Sequence, residues 1–283
     1  MQAQATISST PAVQQQTMYR ILFAISFVHL LNDSVQAVIP AIFPILQQTM
    51  NLTYLQLGFI GFALNMTASV MQPVIGAYTD RKPSPYLLPM GMVFTFFGML
   101  GLALANQFYL VFLSVCLVGL GSAVFHPEGA RVAYMAAGTR RGLAQSIFQV
   151  GGNAGQSLAP IMMILIFVPL GQLGAIWFTI LAAVAFLVLL YIASWYTAKL
   201  RVDQPKKKLQ SVRAMSPARK KQVQMGILLL IFLVFARSWY HAGITNFYPF
   251  YLINDYGITI NQAQIFIFLF LGAGAVGTFW AVH

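Results

Sequence analysis

Of the 283 residues only five are acidic, and one of them, Asp33, lies inside a long apolar segment with His29 four positions before it and Asn32 beside it. The i, i+4 spacing puts His29 and Asp33 on one face of a helix. Asp33 is about 13 residues into the segment, hence roughly 20 Å deep at ~1.5 Å per residue. A carboxylate at that depth can be ionised when water reaches it and neutral when desolvated, which suits a proton carrier. The alternative is a structural carboxylate paired elsewhere in a helix bundle. A His-xxx-Asp pair also occurs in acyl transfer, but no nucleotide, metal or thiol motif stands beside this one. No metal or cofactor is expected, and the chain does not read as an enzyme.

Two further clusters carry charge into apolar sequence. In Phe125-His126-Pro127-Glu128-Gly129-Ala130-Arg131, Glu128 and Arg131 stand at i and i+3 and can pair. With His126 they form either an inner proton relay or gate, or an ion pair anchoring a helix end, and Pro127 invites a kink. Arg237 lies about 12 residues into another apolar segment and is followed by Tyr240. Its guanidinium suits bidentate binding of a phosphonate or carboxylate, so it is the candidate anchor for an anionic substrate, with an inter-domain salt bridge as the alternative. His29, Asn32, Gln149, Asn153 and Tyr240 complete the candidate substrate-binding set. Gln145, Gln149, Asn153 and Gln156 mark either a wetted cavity wall or a set of interhelical hydrogen bonds.

What positions these groups follows from composition. At 59% hydrophobic and 7% charged, the chain has too much apolar surface for one water-soluble core. Apolar blocks run over 21–46, 54–78, 86–105, 108–130, 143–168, 175–196, 225–253 and 263–283. Segments of about 20 apolar residues span a bilayer as helices, so an all-α membrane protein is expected, with seven complete spans and an eighth cut short. A membrane β-barrel needs alternation with period two, which these unbroken blocks lack. The net charge of +11 falls between the spans rather than on a basic folded face, which excludes nucleic acid as a partner. The single cysteine, Cys116, excludes a disulfide framework and reads as a packing residue.

Lys and Arg are absent from alternate connections, near 47–53, 106–107, 169–174 and 254–262, while the others hold Arg81, Lys82, Arg140 and Arg141. The positive-inside rule then places the N-terminus in the cytoplasm. The expected organisation is a cytoplasmic tail over 1–19, six spans over 20–198, a basic cytoplasmic linker over 199–224, and two further spans over 225–283. Ile39-Pro40-Ala41-Ile42-Phe43-Pro44 followed by Asn51-Leu52-Thr53 is echoed by Asn246-Phe247-Tyr248-Pro249 and then Gly257-Ile258-Thr259, an offset of about 205 residues. Such internal symmetry belongs to two-half transporters of about twelve helices, so the chain is expected to stop inside helix eight, in Phe279-Trp280-Ala281-Val282-His283, and to be inactive alone.

Several stretches carry a family resemblance. Gly76-Ala77-Tyr78-Thr79-Asp80-Arg81 resembles the loop motif of the major facilitator superfamily, although Pro83-Ser84-Pro85 replaces its usual basic continuation. The resemblance implies that Gly76, Asp80 and Arg81 act as a conformational latch; at the end of its span, Asp80 could also accept hydrogen bonds from a neighbouring helix N-terminus. Gly151, Gly155 and Ala159-Pro160 are similar to the span-five motif of drug/proton antiporters, with Ala for one Gly. The span-four arginine of those antiporters has no counterpart near Val115.

More selective are His29-Leu30-Leu31-Asn32-Asp33, Gln72-Pro73-Val74, Phe125-His126-Pro127-Glu128 with Arg131, and Gly142-Leu143-Ala144-Gln145-Ser146-Ile147-Phe148-Gln149-Val150-Gly151-Gly152-Asn153. From about residue 20 onward these resemble the fosmidomycin-resistance group. The resemblance implies the major facilitator fold, here a complete N-terminal six-helix half plus the first two helices of the C-terminal half. It further implies a multi-pass exporter of the bacterial inner (plasma) membrane, a proton-coupled antiporter of fosmidomycin or similar drugs, monomeric when full length. Proton-coupled uptake of a small organic anion on the same fold is the nearest alternative. The partners implied are the lipid bilayer, a small-molecule substrate and protons.

Overall fold

A computed structural model describes residues 16–202 and 216–280. Among these residues the chain is helical throughout, without strands. The long helices are α1 (Tyr19–Ala41), α3 (Tyr54–Arg81), α4 (Leu87–Leu104), α5 (Phe108–Ala136), α6 (Arg141–Met162), α8 (Ile176–Val202), α9 (Pro217–Tyr256) and α10 (Ile260–Trp280). Seven stretches are long and apolar enough to cross a membrane, with Arg141–Val202 counting as one of 62 residues. That stretch doubles back. Arg140, just before α6, meets the Tyr19 hydroxyl at 3.1 Å, while Trp195, near the end of α8, reaches Met18 at 3.3 Å.

The local breaks have readable causes. The first apolar block does not form one helix over 21–46: α1 stops at Ala41, and a short α2 (Phe43–Met50) begins with Pro44 in its first turn. Proline supplies no N–H to continue a helix but fits a first turn. After Pro160 the backbone widens into a π turn (Met163–Phe167), then a single turn α7 (Val168–Leu170) and a 3-10 segment (Gly171–Ala175). Gly171 takes φ 60°, the left-handed region that lets the chain reverse. By contrast, α5 is a single helix over Phe108–Ala136 with Pro127 inside it.

The expected sequence repeat has a structural counterpart at two helix starts. Before α3 the main-chain N–H of Thr53 donates to Gln56 Oε1 at 2.9 Å, and before α10 Thr259 does the same to Gln262 at 2.9 Å. Each follows a left-handed residue, Asn51 at φ 52° and Gly257 at φ 64°. Both are capping boxes, in which side chain and backbone satisfy the first free N–H groups of the helix reciprocally.

Glycine lets the helices approach closely. A Cβ at Gly98 would meet the Ser114 carbonyl at 2.8 Å, which seats α4 on α5. Gly151 and Gly155 lie against the Ser26 and Leu30 backbone of α1, so the small-residue ridge of α6 faces α1. Outward-facing Phe23, Phe62, Phe97, Leu113 and Leu187 are exposed, the apolar surface of helices that meet lipid.

The end of the bundle rich in Lys and Arg gathers Arg81, Arg140 and Lys199. The opposite end gathers residues 51–53, 106–107 and 254–262. Contacts from α9 to the first six spans lie towards that second end: Phe250 packs its ring 5.3 Å from Tyr54, and Asn254 donates to the Tyr54 hydroxyl at 2.9 Å. From Arg219 to Tyr240, α9 is exposed. The contacts of α9 with Tyr54 therefore join the two parts of the bundle at the basic-poor end.

Residues 1–15 of the tail, 203–215 of the linker and 281–283 lie outside the described residues. Thr17 and Met18 bond the carbonyls of Ala137 and Ala136, so the chain entering α1 is tied to the end of α5. The flanks of the expected linker are helical, since α8 extends to Val202 and α9 begins at Pro217.

Candidate functional site

A cavity of about 450 Å³ lies between α1, α3, α5 and α6 on one side and α9 and α10 on the other. Its wall includes Asp33, His126, Gln149, Asn153, Gln156 and Arg237. In a pathway made from otherwise apolar helices, these groups offer water and solute hydrogen bonds at mid-depth.

Asp33 is only 3% exposed, and its partners come from three helices. Asn32 donates to Oδ1 at 3.0 Å, and Gln156 of α6 donates to Oδ2 at 2.9 Å. His29 Nε2 stands 3.5 Å from Oδ1, as the i, i+4 spacing anticipates, and His126 Nε2 of α5 stands 3.4 Å from the same oxygen. The His29 ring stacks on Phe148 with centroids 4.0 Å apart, and its Nδ1 faces the Phe148 carbonyl at 2.7 Å. A Cβ at Gly152 would come 2.5 Å from His29 Nε2 and 2.9 Å from Asp33 Oδ2, so only glycine leaves this space open.

His126 therefore belongs with Asp33, not with Glu128 and Arg131 as its sequence neighbourhood implied. The reason is helical: Glu128 and Arg131 occupy the α5 face towards α3 and α8, whereas His126 turns to α1. Fully buried Glu128 accepts from the Tyr196 hydroxyl of α8 at 3.3 Å. Arg131 Nε approaches Glu128 Oε1 at 3.2 Å without the alignment of a hydrogen bond, so this is a charge contact. The same guanidinium donates to the Thr79 carbonyl at 3.0 Å and binds Asp80. Asp80 is thus held by a side chain of α5 rather than by a helix N-terminus. A Cβ at Gly76 would come 3.8 Å from the Pro127 side chain on the same seam, and Arg81 is exposed at the end of α3.

The candidate substrate-binding residues divide. Arg237, Gln149 and Asn153 line the cavity, and Gln149 donates to Asn153 at 3.1 Å. Arg237 has no carboxylate partner among the described residues; every ion pair there goes to His29, His126 or Arg131. His29 and Asn32 lie behind Asp33, buried at 2% and 1% exposure, and support it instead of lining the space. Tyr240 is 62% exposed beside Phe270, outside the wall, because the lining face of α9 runs through Val234, Ser238, His241 and Thr245, on the far side of Arg237 from it. Sequence reasoning left out Gln36, Asn65, Gln72, His241 and Asn246, all on the wall. Gln36 was detectable as the polar residue one turn beyond Asp33.

Residues 22–282 match the family model described as Major Facilitator Superfamily. The chain is 56% identical over 263 residues to the "Uncharacterized MFS-type transporter YfnC" of Bacillus subtilis (strain 168), covering 93% of this chain and 64% of that protein. It is 45% identical over 276 residues to the "Fosmidomycin resistance protein" of Escherichia coli (strain K12), covering 98% of this chain and 66% of that protein. The chain thus spans a little under two thirds of either relative. Among solved structures, a bacterial homolog of the human lysosomal transporter Spinster, in an inward-facing and unoccupied conformation, superposes with a TM-score of 0.66 at 18% identity, over 88% of this chain and 58% of that one. That likeness concerns the fold. A match over nearly the whole sequence and a bundle of membrane-length helices around a polar cleft lead to one conclusion: the chain belongs to the Major Facilitator Superfamily.

Proposed function

We propose that the chain forms part of the pathway of a proton-coupled exporter of fosmidomycin or a similar small anionic drug, working by alternating access in the bacterial inner membrane. The observation that carries this reading is the cavity wall, which presents Arg237, a cation with no carboxylate partner among the described residues, across the cleft from a buried carboxylate, Asp33. Opposite charges on two halves of a split bundle can hold an anion and a coupling cation within one compartment. The 45% identity to a fosmidomycin resistance protein supports the choice of drug.

With the basic end cytoplasmic, a drug would enter from the cytoplasm. Arg237 holds the anionic group, with Gln149 and Asn153 beside it, and Asp33 is the coupling carboxylate. Arg131 with Asp80, Glu128 and Gly76 latches α3 to α5 at the cytoplasmic end. The protein acts as a monomer, with lipid, drug and protons as its partners.

The test is fosmidomycin accumulation in cells expressing the full-length gene, with and without a protonophore. Export predicts low accumulation in energised cells that rises when the gradient is collapsed. Accumulation equal to that of cells lacking the gene would contradict it, and accumulation above that level would establish uptake instead.

A further inference from the structure

The His29, Asp33 and His126 cluster has a property that proton coupling does not require. A carbonyl oxygen only accepts, so the bonds from His29 Nδ1 to Phe148 O at 2.7 Å and from His126 Nδ1 to Ser122 O at 3.0 Å place each ring's hydrogen on Nδ1. In its neutral form each ring then directs its Nε2 lone pair towards Asp33 Oδ1. Three acceptors converge, with their ligand atoms all within 4.8 Å of one another.

We propose that His29, Asp33 and His126 form a divalent transition-metal site, of the kind that takes Zn²⁺, opening onto the central cavity. Two imidazoles and one carboxylate are a borderline-soft donor set that suits zinc and keeps a fourth position free. Bonds of about 2.0–2.1 Å at tetrahedral angles put neighbouring ligand atoms roughly 3.4 Å apart. The observed 3.5 Å and 3.4 Å to Asp33 match that edge. Main-chain carbonyls on Nδ1 are the supports that orient metal-binding imidazoles, and Gln156 on Oδ2 fixes the carboxylate in the same way. Gly152 keeps the space beside His29 Nε2 clear of a side chain. His126, with 28% of its side chain exposed, and Asp33 both reach the cavity, which gives a metal ion its entry and leaves the fourth position for water or a solute.

The experiment titrates the full chain, purified in detergent, with Co²⁺ and then with Zn²⁺. The site predicts visible absorption bands of four-coordinate Co²⁺ that saturate at one ion per chain and vanish as Zn²⁺ displaces it. His126→Gln and His29→Gln should each weaken metal binding about tenfold or more, while His241→Gln, at a cavity histidine outside the cluster, binds as the unaltered chain does. His126 is partly exposed, so that variant keeps the test valid if His29→Gln fails to fold. Absence of saturable Co²⁺ bands, or binding that survives both cluster substitutions, would overturn the site. Binding is read without transport, so its failure leaves the export reading standing, and a failure of export leaves the metal site standing.

Discussion

Asp33 and Arg237 carry opposite charges on the cavity wall: Asp33 is surrounded by amides and imidazoles, and Arg237 has no carboxylate partner among the described residues. Arg237 is exposed on α9, and a charge contact screened by water is worth about 1 kcal/mol, so Arg237→Ala should weaken fosmidomycin binding about fivefold. Arg237→Lys should recover only part of this, since an ammonium cannot make the bidentate contact. Equilibrium binding of the drug to the purified variants checks both. Undiminished affinity in Arg237→Ala would move the anion site elsewhere on the wall.

Among the elements, α5 carries two unrelated tasks on two faces. Its His126 face meets α1 at the cavity, and its Glu128 and Arg131 face joins α3 and α8 at the basic end. Arg131→Ala would leave fully buried Glu128 without its cation, a loss of about 3–5 kcal/mol. The thermal unfolding midpoint in detergent should drop clearly for Arg131→Ala and recover in part for Glu128→Gln/Arg131→Ala, where no charge is stranded. Equal stability of the single variant and the unaltered chain would show that Arg131 does not secure this seam.

These same elements show what a sequence can and cannot display. The span pattern was legible because lipid demands long apolar runs, and the His29 and Asp33 pairing because both lie on one helix at i, i+4. The α1 break at Ile42 was concealed by an unbroken apolar run, although Pro40 and Pro44 flank it. The move of His126 to Asp33 was not legible, since the two residues lie on separate helices and meet only through tertiary packing. Gln156 was visible as one of four amides in α6, but nothing in its spacing singled it out as the donor to Asp33. Tyr240 was drawn into the site by proximity to Arg237 in sequence, where helical rotation carries it out.

At the scale of the whole molecule, the matched capping boxes at Thr53 and Thr259 tie the internal repeat to equivalent turns at the basic-poor end. It is there that the two parts of the bundle meet, through Tyr54, Phe250 and Asn254. The cavity between these parts carries a buried carboxylate, Asp33, on its wall. In the proposed mechanism Asp33 couples transport to the proton gradient, and Asp33→Asn tests this most directly because the amide keeps the shape and removes the charge. In liposomes containing the full-length protein, an imposed pH gradient should drive fosmidomycin movement by the unaltered protein and none by Asp33→Asn, while drug binding to the variant persists. Gradient-driven transport by Asp33→Asn at the unaltered rate would contradict the account.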